Sequence, residues 1–176
     1  MSLKEITKDL HTEAEHTEFM KLVMSGAITK EQYSNYLYQM IPVYGPIEFG
    51  NKIQGFFHNL DGIERLPSIY QDFKELADSN THYTWSQETL DYNRYVLDLI
   101  NDPLRKHLVK AHLYVRHMGD LFGGQYIAKK VPGSGKFYQF TNVEELRNTI
   151  RSELTDDLGD EAKVAFEWAI KIMKAL

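Results

Sequence analysis

The sequence contains no cysteine, which excludes disulfides, thiolate metal sites and a cysteine nucleophile and is compatible with a reducing compartment. It has no apolar run long enough to cross a bilayer, and its start, Met1-Ser2-Leu3-Lys4-Glu5, lacks the apolar stretch of a signal peptide. A soluble, cytoplasmic protein without a membrane partner is expected. Nor is there a basic excess. Lys and Arg number 20 against 25 Asp and Glu, and the net charge of −5 argues against a nucleic-acid partner, whose binding relies on a basic surface. Hairpin signals, internal repeats and low-complexity linkers are also missing.

What is present is helical periodicity over 176 residues, enough for one domain, 1–176, with a substantial core. The spacing predicts an all-α fold. Ser2 with Glu5 opens a first helix carrying Leu10, Ala14, Phe19, Leu22 and Val23, and Gly26 ends it. Thr29 with Gln32 opens a second helix towards Phe49, which Pro42 and Pro46 are expected to bend or interrupt. After a break around Gly55 and Gly62, shorter helices are expected over Pro67–Asp78 and Ser86–Ile100, then a long one from Pro103 to Lys130. Pro132-Gly133-Ser134-Gly135 reads as a loop. Thr141 with Glu144 starts the next helix, and Gly159-Asp160 introduces the last, with Ala165, Trp168, Ala169 and Ile172 on its apolar side.

Gly119-Asp120-Leu121-Phe122-Gly123-Gly124-Gln125 lies inside the long helical segment. Three glycines there forgo about 3 kcal/mol relative to alanine, at roughly 1 kcal/mol each. Such a concession points to a backbone approached closely by something flat, or to a bend. The same residues also fit a close helix–helix crossing with Asp120 facing solvent.

Seven histidines are present, and none forms a zinc motif. His107, His112 and His117 are spaced five apart, off a shared helical face. His11 has Glu15 one turn along, close enough to orient the imidazole. An ordinary surface pair has the same spacing.

His11-Thr12-Glu13-Ala14-Glu15, followed by Glu18-Phe19-Met20, resembles the proximal-helix signature of heme oxygenases, and the glycine stretch at 119–125 resembles their distal-helix signature. The two occur in the family's order, and further matches run from Lys4 to Arg151 and through the final helix. The resemblance implies heme held between a proximal helix and a kinked distal helix. It makes His11 the proximal iron ligand and Glu15 the partner behind it; His16 matches no ligand. Lys4, Arg147 and Arg151 match residues that meet the heme propionates, Tyr114 can hydrogen-bond to the same groups, and Arg116 matches the family's arginine nearby. Tyr44 fits a pocket tyrosine. Gly119, Gly123 and Gly124 then admit the porphyrin, and Asp120 organises the water that delivers protons during oxygen activation.

The implied reaction consumes molecular oxygen and electrons and yields biliverdin, iron and carbon monoxide, with opening at the alpha meso carbon. Heme is both cofactor and substrate. Without a C-terminal anchor, the chain is similar to soluble plant, algal, bacterial or phage-type enzymes, which places it in a cytoplasm, a phage host's included, or a plastid. Ferredoxin or another small reductase is the implied electron donor, with Lys4, Lys8, Arg147 and Arg151 as its docking surface, and a bilin reductase is a downstream partner. A heme carrier or sensor on the same fold is the competing reading; a third keeps the helices without heme, as in related thiamin-degrading enzymes. Three departures stand out. Phe122 replaces a common serine, Pro42, Gly45 and Pro46 beside Tyr44 are unlike the family's usual helix sequence, and His117 replaces a residue that is often aromatic.

Overall fold

The computed structural model describes residues 2–176, and among them all regular structure is helical. The helices are α1 (Leu3–Ile6), α2 (Lys8–Glu15), α3 (Glu18–Ser25), α4 (Lys30–Gln54), α5 (Leu66–Leu76), α6 (Gln87–Asn101), α7 (Val109–Ile127), α8 (Val143–Ser152) and α9 (Gly159–Lys174). Single 3-10 turns precede α7, α8 and α9.

The capping boxes form as the sequence predicts. Ser2 Oγ accepts from Glu5 N while Glu5 returns a carboxylate oxygen to Ser2 N at 2.8 Å. Thr29 and Gln32 do the same at the head of α4. Gly26 closes α3 in the left-handed conformation, φ 73°.

The predicted first helix is instead three pieces. Thr7 caps the end of α1, its hydroxyl donating to Leu3 O at 2.8 Å, and Thr17 takes an extended backbone and accepts from Met20 N. Each threonine offers the backbone a side-chain partner that competes with helix continuation. At the head of α8, Thr141 and Glu144 do not form the expected box. Asn142 is the N-cap residue without capping through its side chain, whose amide donates to Asp61 O at 3.1 Å.

Pro42 and Pro46 do not interrupt α4. A proline leaves the carbonyl four residues earlier without its helical donor. Those carbonyls are Tyr38 O and Pro42 O, and each is met by a side chain. Trp85 Nε1 donates to Tyr38 O at 3.3 Å and Asn93 Nδ2 to Pro42 O at 2.7 Å. The orphaned acceptors are satisfied from the adjoining segment and α6, and the helix continues.

The core gathers around α4, whose Tyr33, Leu37, Met40, Val43, Tyr44 and Ile47 are buried, and which packs on α5, α6 and α7. The second hub is α9, which packs on α2 and on α7. Ala162 and Ala165 of α9 are fully buried in one cluster with Leu3, Ala111 and Val115, so small side chains let α1 and α7 close onto this helix.

Candidate active site

The three glycines of α7 serve two purposes. A Cβ at Gly124 would stand 2.9 Å from Tyr138 Cδ1 and 3.1 Å from its Cβ, so this glycine admits the core tyrosine. At Gly119 nothing lies within 4 Å, and at Gly123 only Ile127 Cδ1 at 3.9 Å. Gly119 and Gly123 are one turn apart, so they make one bare strip along α7. The close-crossing reading thus holds for Gly124, and the open-face reading for the other two.

Asp120 does not face solvent. Only 8% of it is exposed, and Tyr44 Oη donates to its Oδ2 at 2.7 Å, from the middle of α4. Burial pushes the Asp120 carboxyl up to about 6; His117, the Tyr44 hydroxyl, Arg65 and Arg116 pull it back. Tyr44 itself is raised, by burial first and by Asp120 second. Such a carboxyl can change charge near neutral pH.

Beside this contact lies a second α4–α7 link that sequence reasoning missed. Glu48 accepts from His117 Nε2 at 2.9 Å, and both side chains are nearly or completely buried. It also accepts from the backbone N–H groups of Arg65 and Leu66, at 2.6 and 3.1 Å, at the start of α5. The Arg65 guanidinium donates to the carbonyls of Gly62, Ile63, Phe137 and Gln139 and lies 3.8 Å from the Phe140 ring centroid. One signal was available. Glu48 is the lone carboxylate of the run Pro46-Ile47-Glu48-Phe49, one turn from Tyr44.

Further along α7, His112 is fully buried between Tyr92 Oη at 2.9 Å and Glu161 Oε1 at 2.8 Å, and Tyr95 donates to the same carboxylate oxygen. Burial holds the His112 imidazole below its ordinary range. Arg116 stands over the Tyr92 ring at 5.2 Å, and its Nε and Nη2 are buried without a hydrogen-bond partner. Unmet donors of this kind call for water or an anion.

On the α8 side, Arg147 donates to Leu121 O within the glycine motif and to Glu144, while its buried Nε has no partner. Phe122 is half exposed under Arg147 and Arg151, whose guanidinium carbons lie 4.0 and 5.1 Å from the ring centroid. The phenyl ring therefore belongs to the rim formed with α8. Tyr114 is half-buried; burial raises its hydroxyl, and Arg151 opposes that rise. Lys4 is exposed on α1, next to Leu3, whose cluster includes Tyr114.

His11 lies on α2. Its Nδ1 is 3.6 Å from Glu15 Oε1, both side chains are more than half exposed, and the ring meets Phe166 of α9 edge-on at 5.9 Å. The pairing turns Nδ1 towards the carboxylate and leaves Nε2 free of it.

A heme oxygenase family model matches residues 1–175. The chain belongs to the heme oxygenase family. Bovine heme oxygenase 1 is 30% identical over 99% of this chain and 70% of its own length. The Synechocystis heme oxygenase 1 is 27% identical over 99% of this chain and 82% of its own. Among solved structures, Synechocystis heme oxygenase-1 in complex with heme superposes with a TM-score of 0.85 at 25% identity, covering 99% of this chain and 90% of that one. Heme oxygenase from Leptospira interrogans gives the same TM-score at 24% identity, covering 100% of both chains, and supports the fold. No helix among the described residues is long and apolar enough to cross a membrane.

Proposed function

We propose that this member of the heme oxygenase family binds heme between the His11 face of α2 and the Gly119–Gly123 strip of α7, and opens it to biliverdin. The observation that carries this reading is the bare strip beside a buried Tyr44–Asp120 pair, on a helix that shares the neighbour α9 with the His11 helix. The residues present fit the group. His11 offers Nε2 to iron, with Glu15 orienting the ring through Nδ1. Gly119 and Gly123 admit a flat macrocycle, and the unpartnered Nε atoms of Arg116 and Arg147 supply buried donors.

Bound heme supplies both the iron that activates molecular oxygen and the ring that is opened, releasing iron and carbon monoxide. The protein's contributions are position and protons. Asp120 holds or releases a proton on the carboxyl that Tyr44 orients, and Arg116 steadies water beside it. Tyr44 reaches the pocket through Asp120. Lys4, Tyr114, Arg147 and Arg151 meet the propionates at the rim, where guanidinium groups bind carboxylates well. Their rotation of the ring selects the alpha meso carbon. The same basic edge, with Lys8, suits an acidic donor such as reduced ferredoxin or another small reductase. A bilin reductase is the class of enzyme that consumes the product.

Hemin titration tests the site. A Soret shift lost in His11→Ala is expected, and its absence in the unaltered protein overturns the reading. Incubation with ferredoxin, its reductase, NADPH and oxygen should then yield biliverdin. Reducible bound heme that stays intact would instead make the protein a heme carrier or sensor.

A further inference from the structure

Two links between α4 and α7 lie side by side: Tyr44 to Asp120, and Glu48 to His117. Tyr44 and Glu48 are successive turns of α4, and His117 precedes Asp120 by one turn of α7. The Tyr44 and His117 rings touch edge-on at 5.1 Å. We propose that His117 is a positioning residue that sets the charge state of Asp120, and that Glu48 anchors the imidazole as a cation. This rests on reading Asp120 as the proton-handling group of the pocket.

The argument for the cation is geometric. Glu48 accepts three N–H groups: Oε1 from Arg65 N and His117 Nε2, and Oε2 from Leu66 N. Two of these donors are the N-cap amide and the first amide of α5, where the helix N-terminus favours a negative charge. A carboxylate so held has no proton to offer, so the proton between it and His117 belongs to Nε2. The other ring nitrogen, Nδ1, lies 3.2 Å from Leu113 O, which is also an acceptor. The ring that satisfies both contacts carries a proton on each nitrogen. With both side chains buried, its charge is poorly screened from Asp120.

The charged and titratable groups around Asp120 are Tyr33, Tyr36 and Tyr44 from α4, Arg65 at the head of α5, Arg116 and His117 from α7 itself, and Tyr138 after it. His117 is the largest influence opposing burial. Arg65 spends its donors on four carbonyls, and Arg116 is the next cation along the helix. An uncharged residue at 117 would fill the space and leave burial less opposed. The sign follows: a neighbouring cation favours the carboxylate, so removing it moves Asp120 titration to higher pH.

The test uses the heme-free protein first. Ring nitrogen NMR at pH 7 should show both His117 nitrogens protonated; a neutral single tautomer overturns the proposal without any variant. Side-chain carbon NMR then follows the Asp120 carboxyl. In His117→Gln, which keeps a donor for Glu48 and drops the charge, the midpoint should rise by about 1 pH unit or more. An unmoved midpoint in the folded variant also overturns it, because a merely structural histidine would lower thermal stability and leave Asp120 alone. In the hemin-loaded protein the pH profile of biliverdin formation should move with the midpoint. If the midpoint moves and the profile does not, the coupling stands and the proton-handling role of Asp120 fails.

Discussion

The Tyr44 hydroxyl donates to Asp120 Oδ2 at 2.7 Å, joining the centres of α4 and α7 beside the bare glycine strip. Removing it in Tyr44→Phe leaves a buried carboxyl one donor short. A loss of about 1 to 3 kcal/mol is expected in urea unfolding at neutral pH, with the Asp120 midpoint displaced upward. Equal stability would mean that water replaces the hydroxyl without cost.

Asp120 itself should cost stability as pH rises. Its folded carboxyl is pushed up to about 6 from 3.8, so the folded state holds a proton that the unfolded chain has released. The stability associated with that proton is complete below the unfolded value and is lost as pH climbs through the folded one. Asp120→Asn, which can still accept from Tyr44, should therefore be more stable than the parent at pH 8 by on the order of 3 kcal/mol. The gain should vanish towards pH 4. Hemin binding should survive, with biliverdin formation lost; unchanged turnover would remove Asp120 from the mechanism.

The glycines should separate by position. Gly124→Ala forces its new methyl onto Tyr138 and should destabilise the heme-free protein by about 1 to 3 kcal/mol. Gly119→Ala meets nothing and should stabilise it by about 1 kcal/mol through helix propensity, while weakening the hemin complex. Thermal melts with and without hemin distinguish the two, and parallel behaviour would contradict the division of roles.

Asn93→Ala should expose how α4 survives its prolines. Without the side-chain amide, Pro42 O loses its 2.7 Å donor. About 1 to 3 kcal/mol should be lost, measured by denaturant unfolding. A neutral outcome would show that the carbonyl needs no partner there.

Much of this was legible along the chain. Ser2 with Glu5 and Thr29 with Gln32 announced their helices because a capping box is a local exchange within one turn. The local spacing of His11 with Glu15 and of the three glycines left their roles open, and only the family resemblance pointed to a site there. Thr7 and Thr17 were not, since a hydroxyl that stops one helix looks in sequence like any threonine within it. Pro42 and Pro46 misled because their remedies, Trp85 and Asn93, arrive from later in the chain. Glu48 and His117 were hidden likewise, each unremarkable until α4 and α7 are brought together. The sequence motif joined the three glycines into one unit, and only packing against Tyr138 divides them.

The alanines of α9 carry a consequence of their own. Because α2 and α7 both rest on this helix, their spacing is gauged by α9 as a caliper's jaws are by its beam. Ala162 and Ala165 have no exposed surface, so a larger residue there must push a neighbour outward. If heme binds between α2 and α7 as proposed, the width of that slot would be set in part through residues that never meet the macrocycle, and a helix without any reactive group would become a determinant of which tetrapyrroles enter.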